Sequence, residues 1–236
     1  MYNTRRMKID IITLFPGMFA GPFNDSIVKI AKEKKLVKIK MHNLRKWAKD
    51  KHKTVDDRPY GGGKGMVLMV EPIFEALKAI APKAKTHQTK TILLSPQGKT
   101  FTQEKAKELA KLDHLVLIAG HYEGFDERIR ENLIDEEISI GDYVLTGGEL
   151  PTMTVIDAIV RLIPGVLDKE AKENESFSKK DLLDYPQYTR PSDFKDWKVP
   201  EILLSGNHAE IKKWRKEKSI EKTKKARPDL IKKTNR

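Results

Sequence analysis

Apolar and polar positions follow two different periods along this chain. Lys8 to Leu14 (KIDIITL) is a short β-branched apolar run ended by Phe15-Pro16-Gly17, which predicts a buried strand. Asn24-Asp25-Ser26 offers capping residues before IVKIAKEKK, a helix with a lysine-rich exposed face. Leu36 to Met41 alternates like a strand. Glu71-Pro72 opens a helix through Ala81, where the missing proline N–H costs little. Thr91 to Leu94 predicts a strand entering Ser95-Pro96-Gln97-Gly98, and Thr102 to Leu112 a helix with an apolar stripe. His114 to Ala119 predicts a strand entering Gly120-His121-Tyr122-Glu123-Gly124, followed by a helix over Glu127 to Leu133. Glu137 to Ile140 predicts a strand entering Gly141-Asp142-Tyr143. Leu150 to Ile163 is an apolar helix closed by Pro164-Gly165.

Strands alternating with helices predict an α/β fold with a mainly parallel sheet. Three apolar strands each end in a glycine-containing loop, and ligands of α/β sheets bind beyond the carboxyl ends of the strands. The three loops are therefore expected to converge on one small-molecule site. Lys49 to Gly65 (KDKHKTVDDRPYGGGKG) has no periodicity, many charges and a run of glycines, and reads as a long mobile loop, of a length that in compact domains is usually functional or disordered. After Pro164 the pattern changes. The expected organisation is a domain over 1–167, a charged linker over 168–184, and a small basic helical domain over 185–236. That last part carries a helix over Asn207 to Lys218 and a short one opened by Arg227-Pro228-Asp229.

Composition narrows the function classes. The chain has 236 residues, 39% of them hydrophobic, and the apolar positions come in blocks, which argues against wholesale disorder. It has no cysteine, which excludes a disulfide framework, a cysteine nucleophile, an iron–sulfur cluster and a cysteine zinc site. No apolar run approaches a membrane span and the start lacks a signal-peptide apolar region, so the expectation is a soluble cytoplasmic protein without a membrane partner. The net charge is +12 and unevenly placed. Lys29 to Lys53 holds a net +9 and Lys195 to Arg236 a net +8, which leaves the rest mildly acidic. Two basic segments on an acidic body suit a polyanion, with nucleic acid favoured over membrane.

The candidate chemistry is less sharp residue by residue. Gly61-Gly62-Gly63-Lys64-Gly65 looks like a phosphate-cradling loop, but no Ser or Thr follows Lys64, so a nucleotide-hydrolysing P-loop is not supported. Asp56, Asp57, Arg58 and Tyr60 beside it are functional candidates. Glu123 between Gly120 and Gly124 could meet a cationic or hydroxylated ligand, or the segment is an ordinary turn. Asp157 and Arg161 share a helix face at i,i+4 spacing, as an ion pair or as a site on an otherwise apolar helix. His42, His52, His87, His114, His121 and His208 show no metal-ligand spacing, and Ser95, Ser139 and Ser205 lack a nucleophile-elbow context.

Taken in order, IDIITLFPGMF, DDRPYGGGKGMV, LLSPQG, LIAGHYEGFDERI, SIGDYVLTGGELPTMTVIDAIVRLIPGVL, LLDYPQYTRP, VPEILLSGNHAEIKKWR and RPDL closely resemble the bacterial tRNA (guanine-N1)-methyltransferases, which modify the guanosine just 3′ of the anticodon. The resemblance covers nearly the whole chain and excludes Met1 to Arg6. It implies a SPOUT-type α/β domain with a deep trefoil knot, a homodimer, and S-adenosylmethionine held by three loops. By position these are Leu94, Ser95, Pro96, Gln97 and Gly98; then Gly120, Tyr122 and Glu123; then Ser139, Ile140, Gly141, Tyr143, Leu145, Gly147 and Gly148. His121 stands where many relatives have Arg.

The resemblance also implies the catalytic groups. Guanine N1 is protonated and weakly nucleophilic, so a carboxylate must take its proton while an arginine stabilises charge on O6. The family's arginine matches Arg161. Its base, usually Asp in a D-S-F motif, matches Glu175 of Glu175-Ser176-Phe177, with Glu173 and Asp168 as rivals. Asp57, Arg58, Ser176, Lys212, Lys213 and Arg215 are expected to contact the tRNA anticodon stem-loop. Magnesium, if used, would bridge substrate and carboxylate, since no acidic cluster marks a metal cage. Two other readings stay open: a non-catalytic RNA-binding protein on the same fold, and a methyltransferase for ribose or ribosomal RNA.

Overall fold

The computed structural model of the protein describes residues 6–81, 88–168, 172, 175–178 and 182–233. The chain divides into two compact units, Met1–Leu167 and Asp168–Arg236. The first is built on a parallel five-stranded sheet in the order β2-β1-β6-β5-β7. Its strands are β1 (Met7–Thr13), β2 (Val37–Asn43), β5 (Thr89–Thr100), β6 (His114–Ala119) and β7 (Glu136–Ser139). β3 (Asp56–Asp57) and β4 (Val67–Leu68) pair antiparallel in a separate two-stranded sheet, β3 inside the stretch expected to be a long loop and β4 just past its end.

Alternation within each strand sends side chains to two cores. Met7, Ile9 and Ile11 of β1 face α1 (Ala20–Phe23), α2 (Ser26–Glu33), α4 (Gln103–Leu109) and α6 (Glu149–Val160), through Phe23, Val28, Ala31, Leu109, Val155 and Ile159. Ile12 and Leu14 face α3 (Val70–Ile80) and α5 (Glu127–Asn132), through Ile73, Ala76 and Ile129. Burial on both faces is what parallel sheets require and explains the continuous apolar runs. One charged group breaks the apolar layer. Asp10 is fully buried and bonds His42 on β2 at 2.6 Å, His114 on β6 at 2.7 Å and Lys8 at 2.7 Å. A single carboxylate thus ties three neighbouring strands, and its four acceptor positions are well used.

Two boundaries differ from the sequence reading, while Asp25 is the N-cap that the Asn24-Asp25-Ser26 stretch offered, without a side-chain capping bond among the described residues. The strand expected to end at Leu94 resumes after a four-residue excursion. Leu94 and Lys99 both face Ile138, so Ser95 to Gly98 stand out of the ladder and Thr100 pairs with Ser139. Gly98 permits this, because a Cβ there would lie 2.4 Å from the Ile138 backbone nitrogen. Finally, the helix expected over Asn207 to Lys218 runs as α7 over His208–Ala226.

The second unit holds the β8–β9 hairpin (Asp193–Phe194 and Trp197–Lys198), a short 3₁₀ turn at Glu201–Leu203, α7 and α8 (Pro228–Lys233). Asn207 caps α7 by accepting from the Glu210 N–H. Two hydroxyls on the helix hold the chain that precedes the hairpin. The Leu183 N–H donates to Thr223 Oγ1 at 3.0 Å, and the Ser219 hydroxyl donates to the Leu183 carbonyl.

Candidate cofactor cleft and substrate-binding residues

The carboxyl ends of β5, β6 and β7 open into a cleft of about 270 Å³. Sheet geometry puts it there, and a backbone crossing closes it. After the edge strand β7 the chain turns back over β5, bridges Gly147 to His121, and donates the Gly148 N–H to the Gly120 carbonyl at 2.7 Å. It then starts α6, whose first residue, Glu149, is buried and accepts from the Thr13 hydroxyl at 2.8 Å. That bond anchors the third loop to the end of β1.

Glycines make the approach possible. A Cβ on Gly148 would stand 2.6 Å from the Gly120 nitrogen, and one on Gly120 would strike the Phe125 ring. Tyr122 takes a left-handed conformation (φ 60°) rare for residues with a side chain. The glycine-rich loop docks here too. The Glu123 N–H donates to the Met66 carbonyl at 3.0 Å, and Gly65 (φ +91°) leaves room for the Glu123 side chain.

Of the fifteen residues expected to hold the cofactor, fourteen line this cleft; Gly98 does not. Sequence reasoning missed His121, Gly124, Phe125, Arg130, Ile138, Val144, Thr146 and Pro151. Most sit one position beside a named residue, so the loops were the signal and their neighbours followed from the fold. Arg130 comes from α5, which strand-end logic does not reach. It bonds Glu127 at 2.8 Å and Glu137 at 2.9 Å and lies over the Phe125 ring, which makes it a wall of the cleft. His121 packs against Phe15 and Tyr122, and its Nδ1 is buried with no hydrogen-bond partner among the described residues.

The cleft suits a nucleoside-type ligand. Leu94, Ile138, Ile140 and Leu145 offer apolar walls for a flat base, strand-end amides and carbonyls offer edge contacts, and Glu123 offers a carboxylate for a cationic group.

The remaining expected residues lie elsewhere. Arg161 ends α6 half-buried, outside the cleft lining, while Asp157 is exposed. Asp57 and Arg58 are exposed on the β3 hairpin, the Arg58 N–H bonding the Asp57 carboxylate at 2.7 Å. Glu175 and Ser176 form a turn in the second unit. The Ser178 hydroxyl donates to the Glu175 carbonyl at 2.6 Å, and the Asp184 N–H donates to the Ser176 hydroxyl at 3.0 Å. Lys212 and Lys213 are exposed on α7, and Arg215 lies over the Tyr185 ring at 4.8 Å. Glu173 and His87 lie outside the described residues. The described residues contain no group of three or more His, Asp or Glu able to hold a metal ion, and no helix long and apolar enough to cross a membrane.

A doubly covered parallel sheet, with three strand-end loops closed over a glycine-floored apolar cleft, defines an α/β protein with a small-molecule cleft at its strand ends. Comparison with known proteins gives the family. The family described as tRNA (Guanine-1)-methyltransferase TrmD matches residues 7–233. The chain is similar to the tRNA (guanine-N(1)-)-methyltransferase of Dehalococcoides mccartyi, 55% identical over 227 residues (96% of this chain, 91% of the relative). It is also similar to that of Bacillus subtilis, 55% identical over 226 residues (96% and 93%), and that of Geobacillus kaustophilus, 56% identical over 225 residues (95% and 91%). The chain belongs to the tRNA (guanine-1)-methyltransferase family.

Proposed function

We infer that the protein transfers a methyl group from S-adenosylmethionine to N1 of the tRNA guanosine just 3′ of the anticodon. Family membership makes it a tRNA (guanine-N1)-methyltransferase. The observation that carries the donor assignment is the convergence of three strand-end loops on one apolar cleft. When bound, the sulfonium donor supplies an activated methyl group. Of the residues that would hold it, Leu94, Ile138 and Ile140 would offer an apolar wall to its base, Glu123 a carboxylate to its cationic end, and Tyr143 and Leu145 would border it at the mouth of the cleft.

Arg161 and Glu175 are the groups for guanine. Glu175 takes the N1 proton and Arg161 stabilises the charge on O6. Arg161 lies twelve residues beyond Glu149, about 18 Å along the axis of α6 from the end that borders the cleft. An arginine cannot span that distance, so the reading requires the Arg161 of a second copy and hence a homodimer. Val144 and Leu150, 83% and 52% exposed at the rim, supply apolar surface for that association. The backward run of the β7–α6 connection, pressed main chain to main chain against the β6 exit at Gly148, supports the trefoil knot. The basic second unit, with Lys212 and Lys213, serves as the tRNA-binding domain, joined through a linker over 168–184. The tRNA substrate implies a cytoplasmic location. With no group of three or more His, Asp or Glu among the described residues, any magnesium used would bridge substrate and carboxylate.

The test is methyl transfer from labelled S-adenosylmethionine to unmodified tRNA, followed by nucleoside identification. The expected product is 1-methylguanosine, lost when that guanosine is replaced; a ribose-methylated product would overturn the reading. Arg161→Ala should abolish turnover with donor affinity kept, and Glu175→Gln should abolish turnover with tRNA affinity kept. Full activity in Glu175→Gln would move the base to another carboxylate.

A further inference from the structure

The second unit carries a cleft to which methyl transfer gives no role. It measures about 410 Å³, framed by the stretch 185–190 on one side and by Leu203, Leu204, Ile211 and Arg215 on the other. Tyr185 lies in it with the Arg215 guanidinium 4.8 Å above its ring. Tyr188 and Leu204 are 50% and 61% exposed beside it. Large apolar groups held in water around a concavity mark a surface that something covers.

The chemistry of the walls narrows the occupant. Among the described residues that line the cleft, Arg190 and Arg215 are charged and none is acidic. Gln187, Thr189 and Ser192 add neutral donors and acceptors. Two tyrosine rings, a planar cation and neutral edge groups match a flat, anionic, hydrogen-bonding ligand, which is a nucleotide. An acidic peptide would use the arginines but has no flat face for the Tyr185–Arg215 stack. The frame is also held in place. Leu183 is bonded through both its backbone groups to Thr223 and Ser219 of α7, and Asp184 accepts from Lys222 at 2.8 Å. Tyr185 follows directly, so the stack is set before a ligand arrives and little ordering cost remains.

We propose that this cleft holds one unstacked nucleotide of the tRNA, with its base on Tyr188 and the Tyr185–Arg215 pair and its phosphate beside Arg190. The proposal rests on tRNA being the substrate. It makes the tRNA contact expected of Arg215 a stacking one.

The experiment titrates full-length Tyr188→Ala and Arg215→Lys proteins with anticodon stem-loop RNA over a salt series. Neither change alters net charge. Loss of one base stack raises Kd roughly 5- to 150-fold, with the slope of log Kd against log salt unchanged. Lysine keeps the charge of arginine but not its plane, so Arg215→Lys should lose affinity as Tyr188→Ala does. With 2-aminopurine placed at each unpaired loop position in turn, one position should respond to wild-type protein and not to Tyr188→Ala. Folded variants with affinity within twofold of wild type would overturn the proposal. So would an Arg215→Lys protein with wild-type affinity, or free AMP and GMP displacing the loop at millimolar concentration, which would make the cleft a mononucleotide site. Wild-type protein that binds no tRNA at all would instead overturn the substrate reading beneath it.

Discussion

Gly148→Ala tests whether main-chain contact closes the cofactor cleft. The Gly148 N–H donates to the Gly120 carbonyl at 2.7 Å, and an added Cβ would stand 2.6 Å from the Gly120 nitrogen and 2.8 Å from the Ala119 Cα. Both neighbours are backbone and cannot swing aside. Gly148 has φ −81°, which alanine adopts freely, so the penalty is one of space alone. Reaching ordinary contact at 3.4 Å requires an opening of about 0.8 Å between α6 and the β6 exit loop. Overpacking costs about 1–3 kcal/mol and the strained hydrogen bond about 1 more. The sum, about 2–4 kcal/mol, corresponds to a fall in Tm of about 4–16 °C for a chain of this size. Both glycines line the cleft, so affinity for S-adenosylmethionine should fall at least tenfold, equivalent to about 1.4 kcal/mol. Gly21→Ala is the control, since its Cβ meets nothing within 4 Å. Scanning calorimetry and isothermal titration read both effects. A Gly148→Ala protein that melts with wild type and binds the donor within twofold would refute the crossing as the element that shapes the cleft.

Two further outcomes follow from the charges. Burial alone would raise the Asp10 carboxyl, but hydrogen bonds from His114, Lys8 and His42 outweigh it and hold the group well below the usual carboxylate range. A depressed folded-state value stabilises the protein above about pH 4, and that contribution is lost as the pH falls toward the folded value. Asp10→Asn should therefore cost about 3–5 kcal/mol in urea unfolding at neutral pH, with the gap to wild type narrowing in acid; a gap constant down to about pH 2 would refute this. Lys213→Ala, on an exposed position of α7, should weaken tRNA binding for every sequence alike and lower the salt slope by about 0.7–0.9; an unchanged slope would remove it from the phosphate contacts.

The main-sheet strands were legible because parallel strands covered on both faces must be mostly apolar; β6 shows that run unbroken from Leu115 to Ala119, and β1 shows it with Lys8 and Asp10 as the charged exceptions. Strand order was not legible, since nothing local says that β1 lies between β2 and β6. The end of β5 was misjudged for a definite reason. Pro96 and Gly98 read as terminators, yet the chain re-enters the ladder at Lys99 because Gly98 clears the β7 backbone. α7 outran its expected end because the continuation past Lys218 is lysine-rich and carries little apolar periodicity. What orders that stretch is the hydroxyl pair Ser219 and Thr223 gripping Leu183, a contact across about forty residues. At the site, strand-end reasoning and the family resemblance named most of the cleft. Arg130 escaped them there, as did the pairing of the expected Arg215 with Tyr185 in the second unit, because both depend on where helices lie.

The bond from Thr13 to Glu149 joins positions 136 residues apart. On the ribosome that separation becomes time. At common elongation rates the chain needs about 7 to 27 s to reach Glu149 after Thr13 has been made. β1 waits through that interval with β2 as its first available neighbour, since β6 begins only at His114. Ile9 and Ile11, fully buried in the finished protein, have no helix α6 to cover them until synthesis passes Val160. Until then α1 and α2, made earlier, are available to cover that face of β1.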